Sequence, residues 1–147
     1  MADRTEASIL VDAAPADVLD VLTDFDAYPE WTGSVRRAEV LEQGEDGWAR
    51  TVRFVLDAGA LRDTYTLAYS WDIADDGSGL FSWTLVEAGI LKAMDGSYRL
   101  DAVAVGTEVT YTLSVEVKMP LLGMLRRKAE KTIIDTALKE LKKRVEG

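Results

Sequence analysis

The chain contains neither histidine nor cysteine, which removes most of the usual chemistry at once. No Ser-His-Asp or Cys-His nucleophile can be assembled, and no imidazole or thiolate is there to hold a metal. Carboxylates, Tyr, Lys, Arg, Ser and Thr are left. Acid–base work by carboxylates needs two of them directed into one cavity. The strand acids Glu108 and Glu116 alternate toward water, and no convincing pair forms. What the sequence does offer is a set of large side chains at strand spacing: Tyr65, Tyr69, Phe81, Trp83, Met94 and Tyr98. A core built for stability alone favours Leu, Ile and Val. Tyr and Trp carry a polar tip that needs a partner when buried. Several of them on one sheet face suit either a plain core or a mostly apolar pocket with a few polar anchors. Arg50 shares a phase with Val52 and Phe54. Either it points inward, where it must meet an anion because an unpaired buried charge is costly, or it snorkels to water from the strand's end.

The elements that must position these residues can be read from periodicity. Ala7 to Val11 reads as a strand. Pro15 suits the first turn of a helix, Asp17 follows in that turn, where the helix dipole favours it, and Val18, Leu19, Val21 and Leu22 supply its apolar stripe. A second short helix is expected around Asp26 to Trp31. There Phe25, Tyr28 and Trp31 cluster beside Pro29, either packing the short helices on the sheet edge or placing Trp31 at a cavity mouth. Period-two alternation then predicts strands over Val35–Glu42, Gly47–Leu56, Asp63–Trp71, Leu80–Glu87, Lys92–Asp101 and Gly106–Lys118, with Gly96 as a candidate bulge. Gly44, Gly47, Gly59, Gly77, Gly89 and Gly106 punctuate the turns. A helix of about 25 residues opened by Pro120 ends the chain. Its apolar stripe runs through Leu122, Leu125, Ala129, Ile133, Thr136, Ala137, Leu141 and Val145. Short connections between consecutive strands require antiparallel hairpins, so the fold class is α+β. One long helix cannot fill a strongly curved seven-stranded sheet. A cavity between sheet and helix follows unless large side chains plug it. Ala129, Thr132, Thr136 and Ala137 are all small. The cavity is therefore expected beneath Ala129 to Ala137, around Ile133 and facing Tyr65, Trp83 and Tyr98.

Composition bounds the partners. The 147 residues carry a net charge of −9, which argues against a general nucleic-acid binder. From Lys118 onward there are nine Lys/Arg against four Asp/Glu; before it there are eight against 22. This basic final helix is either a solvated face or a contact for an anionic surface, another protein or a second copy in a homodimer. No stretch reads as a secretion signal or approaches the roughly 20 apolar residues of a membrane span. Stable membrane insertion is therefore not expected, and a cytoplasmic location is.

Three segments carry a family likeness: Asp24-Phe25-Asp26-Ala27-Tyr28-Pro29-Glu30-Trp31 after the first helix, Gly96-Ser97-Tyr98-Arg99-Leu100 in a late strand, and Met119-Pro120 before the final helix. With the order of elements, they make the whole chain resemble the START-like (SRPBCC) superfamily, in its polyketide cyclase/dehydrase and coenzyme-Q-binding branch. That resemblance implies a helix-grip fold, a single ligand-binding domain over residues 1–147, and a cavity for a small hydrophobic ligand of aromatic, lipid or isoprenoid type under the long helix. The residues expected to line it are Trp31, Arg50, Tyr65, Tyr69, Phe81, Trp83, Met94, Tyr98, Ala129, Ile133 and Ala137. No cofactor and no metal are expected. The resemblance does not imply catalysis. An aromatase/cyclase or dehydratase remains the alternative, with Tyr65 or Tyr98 and Arg50 as a conceivable polar dyad. A protein-interaction module using the basic helix is a third reading.

Overall fold

The computed structural model describes residues 4–57, 62–118 and 123–147, the last stretch without the side chains of residues 123–125. The elements run β1 (Thr5–Val11), α1 (Pro15–Thr23), a 3₁₀ turn (Phe25–Ala27), α2 (Tyr28–Trp31), β2 (Val35–Gln43), β3 (Ala49–Asp57), β4 (Arg62–Ile73), β5 (Gly79–Ala88), β6 (Leu91–Val103), β7 (Gly106–Val117) and α3 (Gly123–Glu146). The order expected from periodicity is the order found. Pro15 opens α1 and Asp17 sits in its first turn. The Pro120 opening of the last helix, Met119, Gly59 and the side chains of Leu122 and Leu125 lie outside the described residues.

The strands form one curved antiparallel sheet in the order β1-β7-β6-β5-β4-β3-β2. β2 to β7 are a meander. β1 instead closes on β7, with Thr5 opposite Leu113 and Val11 opposite Thr107. The two edges are thus the first two strands, and α1 and α2 span the gap between them. This is an α+β helix-grip fold, with α3 lying against β1 and β7 and touching α1 and α2.

The core follows the alternation. Val109, Tyr111, Leu113 and Val115 of β7 face inward against Ile133, Ile134, Ala137, Leu138 and Leu141 of α3. Two local expectations need correction. Gly96 is no bulge: it pairs in register with Trp83 on one side and Leu113 on the other. A Cβ there would stand 2.6 Å from Trp83 Cε2 and 2.9 Å from the Thr112 carbonyl oxygen. The glycine is needed because an indole lies across the strand. Trp48 precedes β3 rather than belonging to it. It is half-buried and stacks on Trp71 with ring centroids 4.8 Å apart.

The polar face of α3 also does structural work. Lys142 Nζ donates to the Leu10 carbonyl at 2.7 Å, Arg144 pairs with Glu30 of α2 at 3.2 Å, and Glu140 accepts the Gly33 N–H at 2.9 Å. Glu146 accepts the Asp12 N–H at 2.8 Å. That bond, followed by the one from Lys142, holds its carboxyl below the usual carboxylate range.

Candidate functional site

Between the concave face of the sheet and α3 lies a cavity of about 60 Å³. Its wall is built in layers. α2 contributes Tyr28 and Trp31, β3 contributes Phe54 and Leu56, and β4 contributes Tyr65, Leu67 and Tyr69. Trp83 of β5, Met94 and Tyr98 of β6, and Tyr111 of β7 continue it, and Ile133 and Ala137 of α3 roof it. Thr32, Ser34 and Val35 complete one end. Strands β2 to β7 each place a residue there because inward positions recur every second residue.

Of the residues singled out in the sequence, Trp31, Tyr65, Tyr69, Trp83, Met94, Tyr98, Ile133 and Ala137 are brought together around this space. Phe81, Ala129 and Arg50 are not. Phe81 is 1% exposed and packs behind the wall, between Trp71 at 4.6 Å and Tyr98 at 5.4 Å. Ala129 is buried but sits beyond the cavity. Arg50 is exposed, with its guanidinium over Gly44 in the β2–β3 turn. The strict alternation of β3 breaks between Ala49 and Val52, opposite register shifts in β2 around Glu42, so Ala49 takes the buried place. A dyad of Arg50 with a cavity tyrosine is thereby ruled out. Tyr28 and Tyr111 were missed. Tyr111 stands in the inward phase of its strand, a signal that was available. Tyr28 reads in the sequence only as part of the helix cluster.

The wall is an aromatic network. Tyr98 and Tyr111 stand 4.4 Å apart between ring centroids, Trp83 is 5.7 Å from Tyr98, and Tyr65 stacks on Phe54 at 5.6 Å. The short helices join it, with Phe25 5.3 Å from Tyr69 and Tyr28 5.0 Å from Trp31. Phe25 and Tyr28 thus pack the short helices on the sheet, through Tyr69 and Phe54, and Trp31, against Tyr28, borders the cavity. It also borders two surface grooves, one lined by Glu30, Glu140, Lys143 and Arg144, the other by Asp20, Val21, Asp24 and Ala27.

Among the described residues, no charged side chain lines the cavity. All five tyrosines of the chain do. Burial pushes every one of these phenols above its ordinary value. Neighbouring phenols add to the effect at Tyr28, Tyr65, Tyr69 and Tyr98. They are neutral donors and acceptors at physiological pH. The Tyr28 hydroxyl donates to the Leu22 carbonyl at 2.6 Å. The indole N–H groups of Trp31 and Trp83 are buried and meet no acceptor among the described residues. By contrast Trp71 Nε1 donates to the Ala49 carbonyl at 2.7 Å.

One buried carboxylate escaped the sequence reading altogether. Glu130 of α3 is fully buried, accepting the Val115 N–H at 2.6 Å and the Thr5 hydroxyl at 2.8 Å. β1 ends its pairing at Leu113, so the β7 edge beyond lacks a strand partner among the described residues, and Glu130 supplies the acceptor. An acid in phase with Ile133, Ile134 and Ala137 was the available signal. It does not line the cavity.

This geometry agrees with what comparison finds. Residues 2–146 match the family described as polyketide cyclase/dehydrase and lipid transport, and the chain belongs to that family, within the START-like (SRPBCC) superfamily. Its fold is similar to a START superfamily protein from Mycobacterium smegmatis (TM-score 0.87, 20% identity, covering 97% of each chain). It is similar as well to the Zhui aromatase/cyclase from Streptomyces sp. R1128 (TM-score 0.80, 19% identity, 99% of this chain and 94% of the other). A protein from Thermus thermophilus matches at a TM-score of 0.80 with 21% identity over 97% of each chain. Among the described residues no helix is long and apolar enough to cross a membrane.

Proposed function

We propose that the chain acts as a single ligand-binding domain that takes up a small hydrophobic molecule, aromatic or isoprenoid in character, between the sheet and α3. The observation that carries this reading is the cavity itself. A sheet face built for stability would be filled by aliphatic side chains, whereas this one leaves a space walled by five phenols and two indoles. The family description, which includes lipid transport, supports it. At about 60 Å³ the space holds only a few waters, while an engineered cavity of about 150 Å³ is what admits benzene. Uptake therefore requires a wall residue to move. Trp31 is placed for this, standing between the interior and the two surface grooves. Native mass spectrometry of freshly purified protein, with displacement of a fluorescent apolar dye, tests the reading. No bound species and no displacement by any apolar compound sinks it.

An aromatase/cyclase reading is favoured by the likeness to Zhui and by the family description. Enolisation and dehydration need a group that exchanges protons near neutral pH. Among the described residues the cavity wall offers phenols and the Thr32 and Ser34 hydroxyls for that work, and burial moves the phenols away from the required range. Binding is thus the better supported role. Ala137→Phe probes the cavity directly, because Ala137 roofs it. The variant is expected to keep or raise the melting temperature while losing dye uptake. Unfolding of the variant by overpacking, a cost of about 1–3 kcal/mol, would mark the region as solid core.

A further inference from the structure

Two of the four tryptophans are anomalous. Trp31 and Trp83 are 7% and 5% exposed, line the same cavity, and bury an indole N–H that donates to nothing among the described residues. An indole N–H can only donate, and native proteins rarely leave such a donor orphaned. Trp83 is packed by Tyr98 and Tyr111 and Trp31 lies against Tyr28, so both unpaired groups have ring neighbours in the closed cavity. Resting on the ligand-binding reading above, we propose that these two N–H groups are the polar anchors of the cavity. Its ligand is then a neutral, largely apolar ring compound that presents acceptor oxygens, such as carbonyl, quinone or ether oxygens, to Trp31 and Trp83. The neutral wall, free of charged side chains among the described residues, sets the neutrality of the ligand. A carboxylate would find two donors but no cation to offset its desolvation, and an ammonium would find no carboxylate.

Three compounds with one ring system separate the terms: naphthalene, 1,4-naphthoquinone and 1-naphthoate. The chain has no cysteine to add to the quinone. Titrations are followed by calorimetry and by the indole N–H signals of ¹⁵N-labelled protein, assigned with Trp31→Phe and Trp83→Phe. The quinone is expected to bind at least roughly tenfold more tightly than naphthalene, with naphthoate weakest. It should move the Trp31 and Trp83 signals downfield and leave that of Trp71, already bonded to Ala49. Each Trp→Phe change removes roughly three- to tenfold of the quinone's advantage and leaves naphthalene affinity nearly unchanged. If a variant fails to fold, the signals of the unsubstituted protein decide. Naphthalene binding as tightly as the quinone, naphthoate binding tightest, or indole signals responding alike to naphthalene and quinone overturns the inference and leaves the ligand-binding reading intact. Failure of all three compounds to bind by a protein that still takes up the apolar dye overturns the inference alone; failure of the dye as well overturns both.

Discussion

The indole of Trp83 lies across the backbone of β6 at Gly96, where any Cβ would collide with it. Gly96→Ala must push the ring toward the cavity or open the β5–β6 pairing. Overpacking of this kind costs about 1–3 kcal/mol, so the melting temperature is expected to fall by several degrees while dye uptake also falls. A variant as stable as its parent would show that the ring moves freely. The same contact shows why sequence reading failed here. Glycine within a strand pattern signals either a bulge or a close approach, and only the partner strand tells which. Arg50 is a similar case. Its parity with Val52 and Phe54 pointed inward, but parity holds only while pairing stays regular, and the shifts around Glu42 interrupt it.

At the scale of elements, α3 is held by more than its apolar stripe. Glu130 completes the edge of β7, and the Glu30–Arg144 pair ties α2 to the helix's far end. Glu130→Ala leaves the buried Val115 N–H without an acceptor, a loss of about 1–3 kcal/mol. The expected sign is faster hydrogen exchange at the Val115 amide together with lower stability. Unchanged protection at that amide would remove Glu130 from this role. The exposed Glu30–Arg144 pair is worth far less, since solvent screens it. The sheet was legible because Val109 to Val117 and its neighbours alternate cleanly and turn glycines separate them. α3 was legible from its period. The burial of Glu130 could be read from its phase in the helix, but its purpose could not, because that depends on where β1 stops, a fact of the packing of distant segments.

Across the whole molecule, the five tyrosines make the cavity a single titrating unit. Each folded phenol is raised above the ordinary value near 10 that it regains on unfolding. Their contribution to stability is therefore full below about pH 10 and is lost as pH rises beyond it, by about 1.4 kcal/mol per phenol per pH unit until the folded value is reached. Alkaline unfolding is expected to be steep, with phenolate absorbance appearing together with loss of the circular-dichroism signal. Phenolate formed in a still-folded protein would contradict it. The closure of β1 onto β7 has a consequence for how the molecule is made. β2 to β7 can add hairpin by hairpin as the chain leaves the ribosome, each strand finding a partner already present. β1 emerges before them and must wait, unpaired, until β7 has been made, and α3 follows β7. The pocket is thus complete only after the sheet, once α3 has docked on it. Until then the aromatic face of the growing sheet is open to the cell, so a hydrophobic ligand or a chaperone meets that face before the protein's own helix does.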